Sequence, residues 1–504
     1  WERLKGEILV PYAYTKEDDL FHIRLFETPT AKYMMFDVSH IMGDGMTMNI
    51  LLEDLNKAYC GEPIEEERYT FYEYIIDEMH REEQGVRRQN ILYYDNLLKG
   101  LRLERSLLNK KEKEDLSHEV NGVIRRRFNL VKKEVLYFCN RQGVSENVLF
   151  LTAFNYTVGV FSGEKDLFTC SIHSGRTDGR WRRVAGPLFL TYYTRYNVID
   201  HETTVDLLKR SGRQIMDTMK TMISVPREGE MFFQYQADLI RIPTVGDAPA
   251  ETVHLQLDSL PFHLQVMTDD NGYYYELRFW KNRFDEKQME IFLTCYESIL
   301  RAMAMEEERS ARRLKKHIPD EMFPKHYRVR AAELSKEAGR DFFAEADEDE
   351  DVAVYVMDEL FNKKPFGAWG RLYILDKEPA ESAGIFKHPE KRGHSLYDTG
   401  ITARILPDGR IDFLENSGRV VLTDGSRGRK YYDLGALEKT LSPVDNVSGV
   451  HAYLAYDTSM NEMRLEMDVD TVQNSFINEL RTVAGENLGE QMVPTVVNLR
   501  MTTK

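Results

Sequence analysis

The chain has 504 residues, 67 Lys and Arg against 83 Asp and Glu, a formal net charge of −16 and 42% hydrophobic residues. That acidity excludes a broad phosphate-binding surface and with it nucleic acid as a ligand, while the apolar content is enough to fill real cores and sets disorder aside. No run approaches the roughly 18 to 20 apolar residues that a membrane span needs, and no signal peptide is visible, so no membrane partner is expected.

Trp1 stands where an initiating Met would, and Lys504 ends a segment that reads as unfinished, so the sequence looks like a fragment of a longer chain. Cys60, Cys139, Cys170 and Cys295 are widely spaced, with no CxxC pair and no His at ligand spacing. Neither a zinc site nor a disulfide framework is suggested, and the cytoplasm is the expected location.

In chain order, Tyr33 to Ser39 places Met34, Phe36 and Val38 on one face, as a half-buried strand does. After Thr47, Ile50, Leu51, Leu55 and Ala58 recur at helical spacing. Gly143-Val144-Ser145 opens a helix-like apolar stretch to Val160, and Asp166 to Ile172 reads as a strand. Phe262 to Met267 and Tyr273 to Trp280 flank Asp269-Asp270-Asn271-Gly272, where Asn-Gly supplies the positive φ angles of a tight hairpin turn. A helix is predicted over Gln288 to Met303. Two charged tracts follow, Glu306 to Lys316 and Asp341 to Asp351, and the main boundary is expected between them. Thr402 to Leu406 and Arg410 to Leu414 form a further hairpin around Pro407-Asp408-Gly409. The alternation is α/β material without internal repeats.

The segment that carries chemistry is Ser39-His40-Ile41-Met42-Gly43-Asp44-Gly45, which leaves a strand, turns at two glycines and enters a helix. An imidazole there can orient or deprotonate a nucleophile, because its ordinary pKa of about 6.5 lies close to neutral pH. Asp44, just before the helix, is better placed to hold the loop through an arginine than to meet substrate. From the residues alone, a lone HxxxDG is a weak signal and a satisfied structural His40 is the favoured reading. His388 and His394 lack an acid or Cys to complete a ligand set, and Asp347 to Asp351 lacks the glycine of a calcium loop, so no metal is expected.

Ser39 to Gly45 resembles the HHxxxDG signature of the condensation domains of nonribosomal peptide synthetases, with His40 as the second His of the pair. Ser174-Gly175-Arg176, Gly186-Pro187-Leu188-Phe189-Leu190-Thr191 with Arg195, and Trp280 followed by Arg283-Phe284-Asp285 are similar to that family's second lobe, in the same order. Ser39 replaces the first His, and Leu190 stands where Asn is usual.

The resemblance implies an α/β, chloramphenicol-acetyltransferase-like two-lobed fold whose first lobe is incomplete, its opening strand and helix lying before Trp1. It implies His40 as the catalytic residue, with Asp44, Gly45, Arg176 and Arg195 structural and Asp44 paired to Arg176 or Arg195. It also implies the reaction, in which an amine on one carrier domain attacks an acyl thioester on another. Both substrates ride on 4'-phosphopantetheine arms of upstream and downstream carriers within other synthetase modules, and this chain binds no cofactor itself. The absence of a GxSxG elbow agrees with a reaction that needs no acyl-enzyme.

A second resemblance covers Tyr355 to Asp358, Pro365 to Ile374, Leu396-Tyr397-Asp398-Thr399-Gly400, Leu406 to Leu414 and Met492-Val493-Pro494, which follow the order of an adenylation domain's end. Ile401 stands where the ribose-binding Asp belongs, Ser417-Gly418-Arg419 lacks the hinge acid, no Gly-rich phosphate loop exists, and the catalytic Lys would fall past Lys504. A small α+β adenylation-type remnant without amino-acid activation is expected there. The implied division is 1–110, first-lobe remnant; 111–305, second lobe; 306–350, charged linker; 351–504, degenerate adenylation portion. Two other functions stay open: a standalone acyltransferase using acyl-coenzyme A, and a non-catalytic carrier-docking scaffold. Met46-Thr47-Met48 disfavours an epimerisation domain.

Overall fold

The computed structural model describes residues 12, 20–98, 121–163, 166–199, 201–222, 231–237, 244–249, 260–281, 284–324, 327–338, 343, 350–358, 360–379, 384–389, 391–414, 420–425, 428–457, 462–472, 477–488 and 492–501. It opens with an antiparallel ribbon, β1 (Phe21–Glu27) against β2 (Lys32–Val38), in the register Phe21↔Val38 to Glu27↔Lys32. The alternation sorts the side chains by face, and Phe21, Ile23, Leu25 and Met34 are exposed on one of them. Helix α1 (Gly45–Cys60) follows the ribbon, and then α2 (Phe71–Glu83) and α3 (Val86–Leu98).

A six-stranded mixed sheet carries the next unit. Its elements are β3 (Asn121–Arg127), α4 (Lys132–Gln142), α5 (Glu146–Ser162), β4 (Asp166–His173), β5 (Leu190–Asn197), α6 (Thr204–Lys220), β6 (Met231–Ala237), the short pair β7 (Thr244–Val245) and β8 (Ala248–Pro249), β9 (Phe262–Asp269), β10 (Gly272–Trp280) and α7 (Glu286–Ala304). The spatial order is β3-β10-β9-β6-β4-β5, parallel at β9–β6–β4 and antiparallel elsewhere. Ser145 caps α5 through Val148 N, and Gly163 ends it in the left-handed region. Leu149, Phe150, Ala153, Phe154 and Phe161 of α5 are fully buried, so this helix is the centre of the core, packed against β6, β9 and α7.

The first elements are tied onto this unit. Asn90 of α3 donates to the Met222 carbonyl (3.2 Å), and Tyr94 packs on Tyr193, Cys170 and Phe232. Arg183 bonds Asp54 of α1 at 2.7 Å, and the Gly246 amide between β7 and β8 donates to Asn56 of α1 at 2.8 Å.

The hairpin β9–β10 differs from its sequence expectation in detail. Asp269 pairs Gly272, so the two loop residues are Asp270 and Asn271; of the three, Gly272 alone takes a positive φ (+117°), and Asp269 Oδ1 accepts the Asn271 amide instead. The stretch 306–350 is also no free linker. Ala311, Leu314 and Ile318 lie in the core of the first large sheet, whereas Val329, Ala331, Leu334 and Phe343 lie in the next core. Apolar residues hidden among the charges fill two cores, which a count of charges does not register.

That next core belongs to β11 (Tyr327–Arg330), α8 (Ala331–Ala338), β12 (Asp351–Met357), β13 (Gly370–Leu375), β14 (Gly384–Lys387), β15 (Ser395–Ile405) and β16 (Ile411–Leu414), with strand order β11-β12-β13-β15-β14 and β16 on β15. A last unit holds β17 (Val420–Gly425), β18 (Gly428–Asp433), α9 (Leu434–Leu441), β19 (Val447–Asp457), β20 (Glu462–Thr471), α10 (Ile477–Leu488) and β21 (Val496–Met501) around its own core. The segment between β12 and β13 docks on the first large unit. Ala368 enters its core, Trp369 N donates to the Phe161 carbonyl (2.8 Å), Lys364 Nζ to the Val160 carbonyl, and Gln288 Nε2 to the Gly367 carbonyl (3.0 Å).

Candidate functional site

The loop between β2 and α1 is built from its ends inward. Ser39 N donates to the Leu20 carbonyl, and Met42 N donates back to the Ser39 carbonyl, both at 2.9 Å, which closes a turn around His40 and Ile41. At the other end Asp44 caps α1. Its Oδ1 accepts the Thr47 amide at 2.9 Å while Thr47 Oγ1 accepts the Asp44 amide at 3.3 Å, a reciprocal box that satisfies orphan donors of the first turn. Neither Gly43 nor Gly45 uses a positive φ. Gly45 opens the helix, and Gly43 is needed for space, since a Cβ there would come within 2.6 Å of Thr47 Cγ2.

Asp44 Oδ2 faces the second unit. Arg176 Nη1 donates to it at 2.7 Å and the Leu188 amide at 3.2 Å, with both side chains of the ion pair almost fully buried. Arg176 also bonds the carbonyls of Ser174 (3.0 Å) and Val184 (2.9 Å). The carboxylate is therefore occupied on both oxygens by groups that fix its place, as a buried charge requires. Arg195 lies elsewhere. Its Nε bonds Asp166 Oδ1 at 2.8 Å and its Nη1 the Leu97 carbonyl at 3.0 Å, so of the two arginine candidates Arg176 is the one brought to Asp44.

His40 is exposed at the tip of this braced loop, its ring edge against Phe189 with centroids 5.7 Å apart. Phe189 just precedes β5, so the imidazole sits where the loop of the first elements meets the sheet of the second. An accessible ring on a rigid mount can hold or accept a proton from an incoming group. Close by, His173 ends β4, where its Nδ1 accepts the Gly175 amide (3.1 Å) and burial pushes its pKa below the ordinary value.

Sequence reading missed Thr47, Leu188 and His173. Asp44-x-x-Thr47 at a helix start was a readable signal for the capping box, but the contact of the Leu188 amide carries none. In the last part of the chain, Asp398 pairs with Arg371 (2.6 Å) and Thr399 Oγ1 donates to the Leu372 carbonyl, so the Tyr397 to Gly400 motif is spent within its own sheet. The Ser417 to Arg419 turn lies outside the described residues. His388 is buried under Tyr355 and His394 pairs with Asp376; among the described residues no group of three His, Cys, Asp or Glu could hold a metal.

Residues 10–223 match the Condensation domain family. The chain carries a condensation domain of the nonribosomal peptide synthetase kind. Surfactin synthase subunit 1 of Bacillus subtilis is 20% identical over 309 residues, 58% of this chain and 9% of that protein. Gramicidin S synthase 2 of Brevibacillus brevis is 28% identical over 153 residues, 28% of this chain and 3% of that protein. The condensation-domain chain thus spans less than a tenth of either relative. In fold, a crystal structure of a four-domain nonribosomal peptide synthetase bound to AMP and glycine aligns with 99% of this chain and 63% of its own, at a TM-score of 0.62 and 12% identity. The two-lobed α/β architecture is the one the sequence implied. Among the described residues no helix is long and apolar enough to cross a membrane.

Proposed function

We propose that this condensation domain forms peptide bonds, joining an acyl or peptidyl thioester donor to an aminoacyl acceptor, each held on the 4'-phosphopantetheine arm of a separate carrier domain. The observation that carries the reading is the exposed His40 on a loop braced by the buried Asp44–Arg176 pair at the junction of the two parts of the domain. In this scheme the acceptor amine attacks the thioester carbonyl carbon and forms the C–N bond of a tetrahedral intermediate, the intermediate collapses with cleavage of the C–S bond, and the amine proton passes by way of His40 to the departing thiolate. His40 acts on the amine and on the tetrahedral intermediate, and no cofactor of the chain itself takes part. Its partners are upstream and downstream carriers of neighbouring modules. Its setting is cytoplasmic, which suits four cysteines that form no disulfide with one another.

His40→Ala tests the reading. With loaded donor and acceptor carriers, intact mass should show peptide formation reduced by about a hundred- to ten-thousand-fold, the usual contribution of a positioned general base. Turnover at the parent's rate would remove His40 from the chemistry.

We further propose that residues 351–504 descend from an adenylation domain and activate no amino acid, serving as a spacer or docking surface. Ile401 replaces the expected ribose-binding acid, and Asp398, an acid of the same motif, is engaged with Arg371. Amino-acid-dependent pyrophosphate exchange should stay at background with every common amino acid, and exchange with any one of them contradicts this.

A further inference from the structure

We infer that Thr47 is a positioning residue that latches the two parts of the condensation domain together and thereby sets His40 against Phe189. The inference rests on the proposed reaction only for its catalytic consequence. Thr47 is 4% exposed and stands in the first turn of α1. Its hydroxyl nevertheless makes a two-way link with the other part of the chain, accepting the Gly186 amide at 2.9 Å and donating to the Gly186 carbonyl at 2.8 Å. A single side chain here does what a neighbouring strand does, engaging both backbone groups of one residue. Asp44 Oδ1 stands 3.0 Å from the same oxygen as a second acceptor, and Arg176 Nη2 approaches it at 3.4 Å.

The approach is close because Gly186 has no side chain. A Cβ there would come within 2.5 Å of the Phe71 ring, so α2, Gly186 and Thr47 form a tight stack. From Gly186 the chain runs directly through Leu188, whose amide is held by Asp44, to Phe189, the ring that His40 meets. The latch and the capping carboxylate therefore fix both sides of the His40–Phe189 contact. The β-branched Thr holds its hydroxyl in few rotamers, which suits a fixed double contact.

Three variants of the full chain and the parent itself test this. In the parent, the Gly186 and Leu188 amides lie outside any strand yet should exchange with solvent as slowly as strand amides; fast exchange would overturn the latch without any variant. Thr47→Val removes the hydroxyl at nearly constant shape. Exchange in 184–190 should then rise about tenfold, as for loss of one buried hydrogen bond. The imidazole NMR signals of His40 should shift toward those of Phe189→Ala, as the ring-current contact is lost. Turnover should fall about tenfold with the KM for the aminoacyl carrier unchanged, and Thr47→Ser should restore all three readouts to within about twofold of the parent. Thr47→Val with parental exchange, parental His40 signals or parental turnover overturns the inference. Exchange and NMR do not depend on catalysis, so a parent that makes no peptide yet shows these two signatures refutes the proposed reaction and leaves the latch standing.

Discussion

Asp44 and Arg176 form an ion pair whose two side chains are almost fully buried, so removing either leaves the other charge buried and unpaired. Asp44→Ala should cost about 3 to 5 kcal/mol of folding stability, measured by denaturant unfolding, and should lower activity with it. A variant that keeps its stability while losing activity would move Asp44 into the chemistry. Gly175 is a second sensitive position. It adopts φ +71°, and a Cβ there would lie 1.6 Å from the Leu188 carbonyl oxygen, a backbone atom that cannot swing away. Gly175→Ala should cost at least about 2 kcal/mol and should disturb the Leu188 amide that Asp44 holds. At this scale the inward turn of Asp44 was legible, because an acid before a helix start and away from solvent needs a cation. The choice between Arg176 and Arg195 was not. Register pairs Arg195 with Phe168 on β4, which leaves Asp166, two residues away, as its diagonal neighbour, and register is invisible in a sequence.

The elements around the site followed from periodicity more faithfully than their joints did. The strand before His40, the helix after it, α5 with its Ser145 cap and the β9–β10 hairpin all lie where apolar spacing put them. The hairpin's turn did not follow the Asn-Gly rule, because the pairing of Asp269 with Gly272 places the glycine on the strand and leaves the Asp269 side chain to close the loop. Exchanging Asp269 for Ala should therefore weaken the hairpin although Asn271 and Gly272 remain, with an expected loss of about 1 kcal/mol for the bond to the Asn271 amide, read by chemical unfolding. The charged tract from Glu306 misled for a related reason. Its core residues Ala311 and Leu314 are separated by two arginines, and Ile318 follows just beyond it, so the average character of the stretch conceals where its apolar side chains go.

Across the whole molecule, Lys315 from that tract reaches Asp358 of the next unit. Burial opposes ionisation of Asp358, but its hydrogen bond and charge interaction with Lys315, joined by bonds from Asn362, outweigh it and hold the carboxyl below its ordinary value of 3.8. A depressed folded value contributes stability above 3.8 that is lost as the pH falls through it. The stability difference between the parent and Lys315→Met should therefore be full at neutral pH, begin to fall near 3.8 and vanish once the pH has dropped through the lower folded value. A difference that persists undiminished in acid would mean that Lys315 acts through packing alone.

The segment from Lys364 to Trp369 has a bearing on where such a chain can be cut. A polypeptide ended at the charged tract, where composition suggests a clean edge, would take Ala368 out of the condensation core and strip the Phe161 carbonyl, the Val160 carbonyl and the Gln288 amide of their partners. Each orphaned group costs about 1 to 3 kcal/mol where water cannot reach it. Division at this point would thus impair the condensation-domain unit, whereas a break beyond Trp369 would carry its patch along.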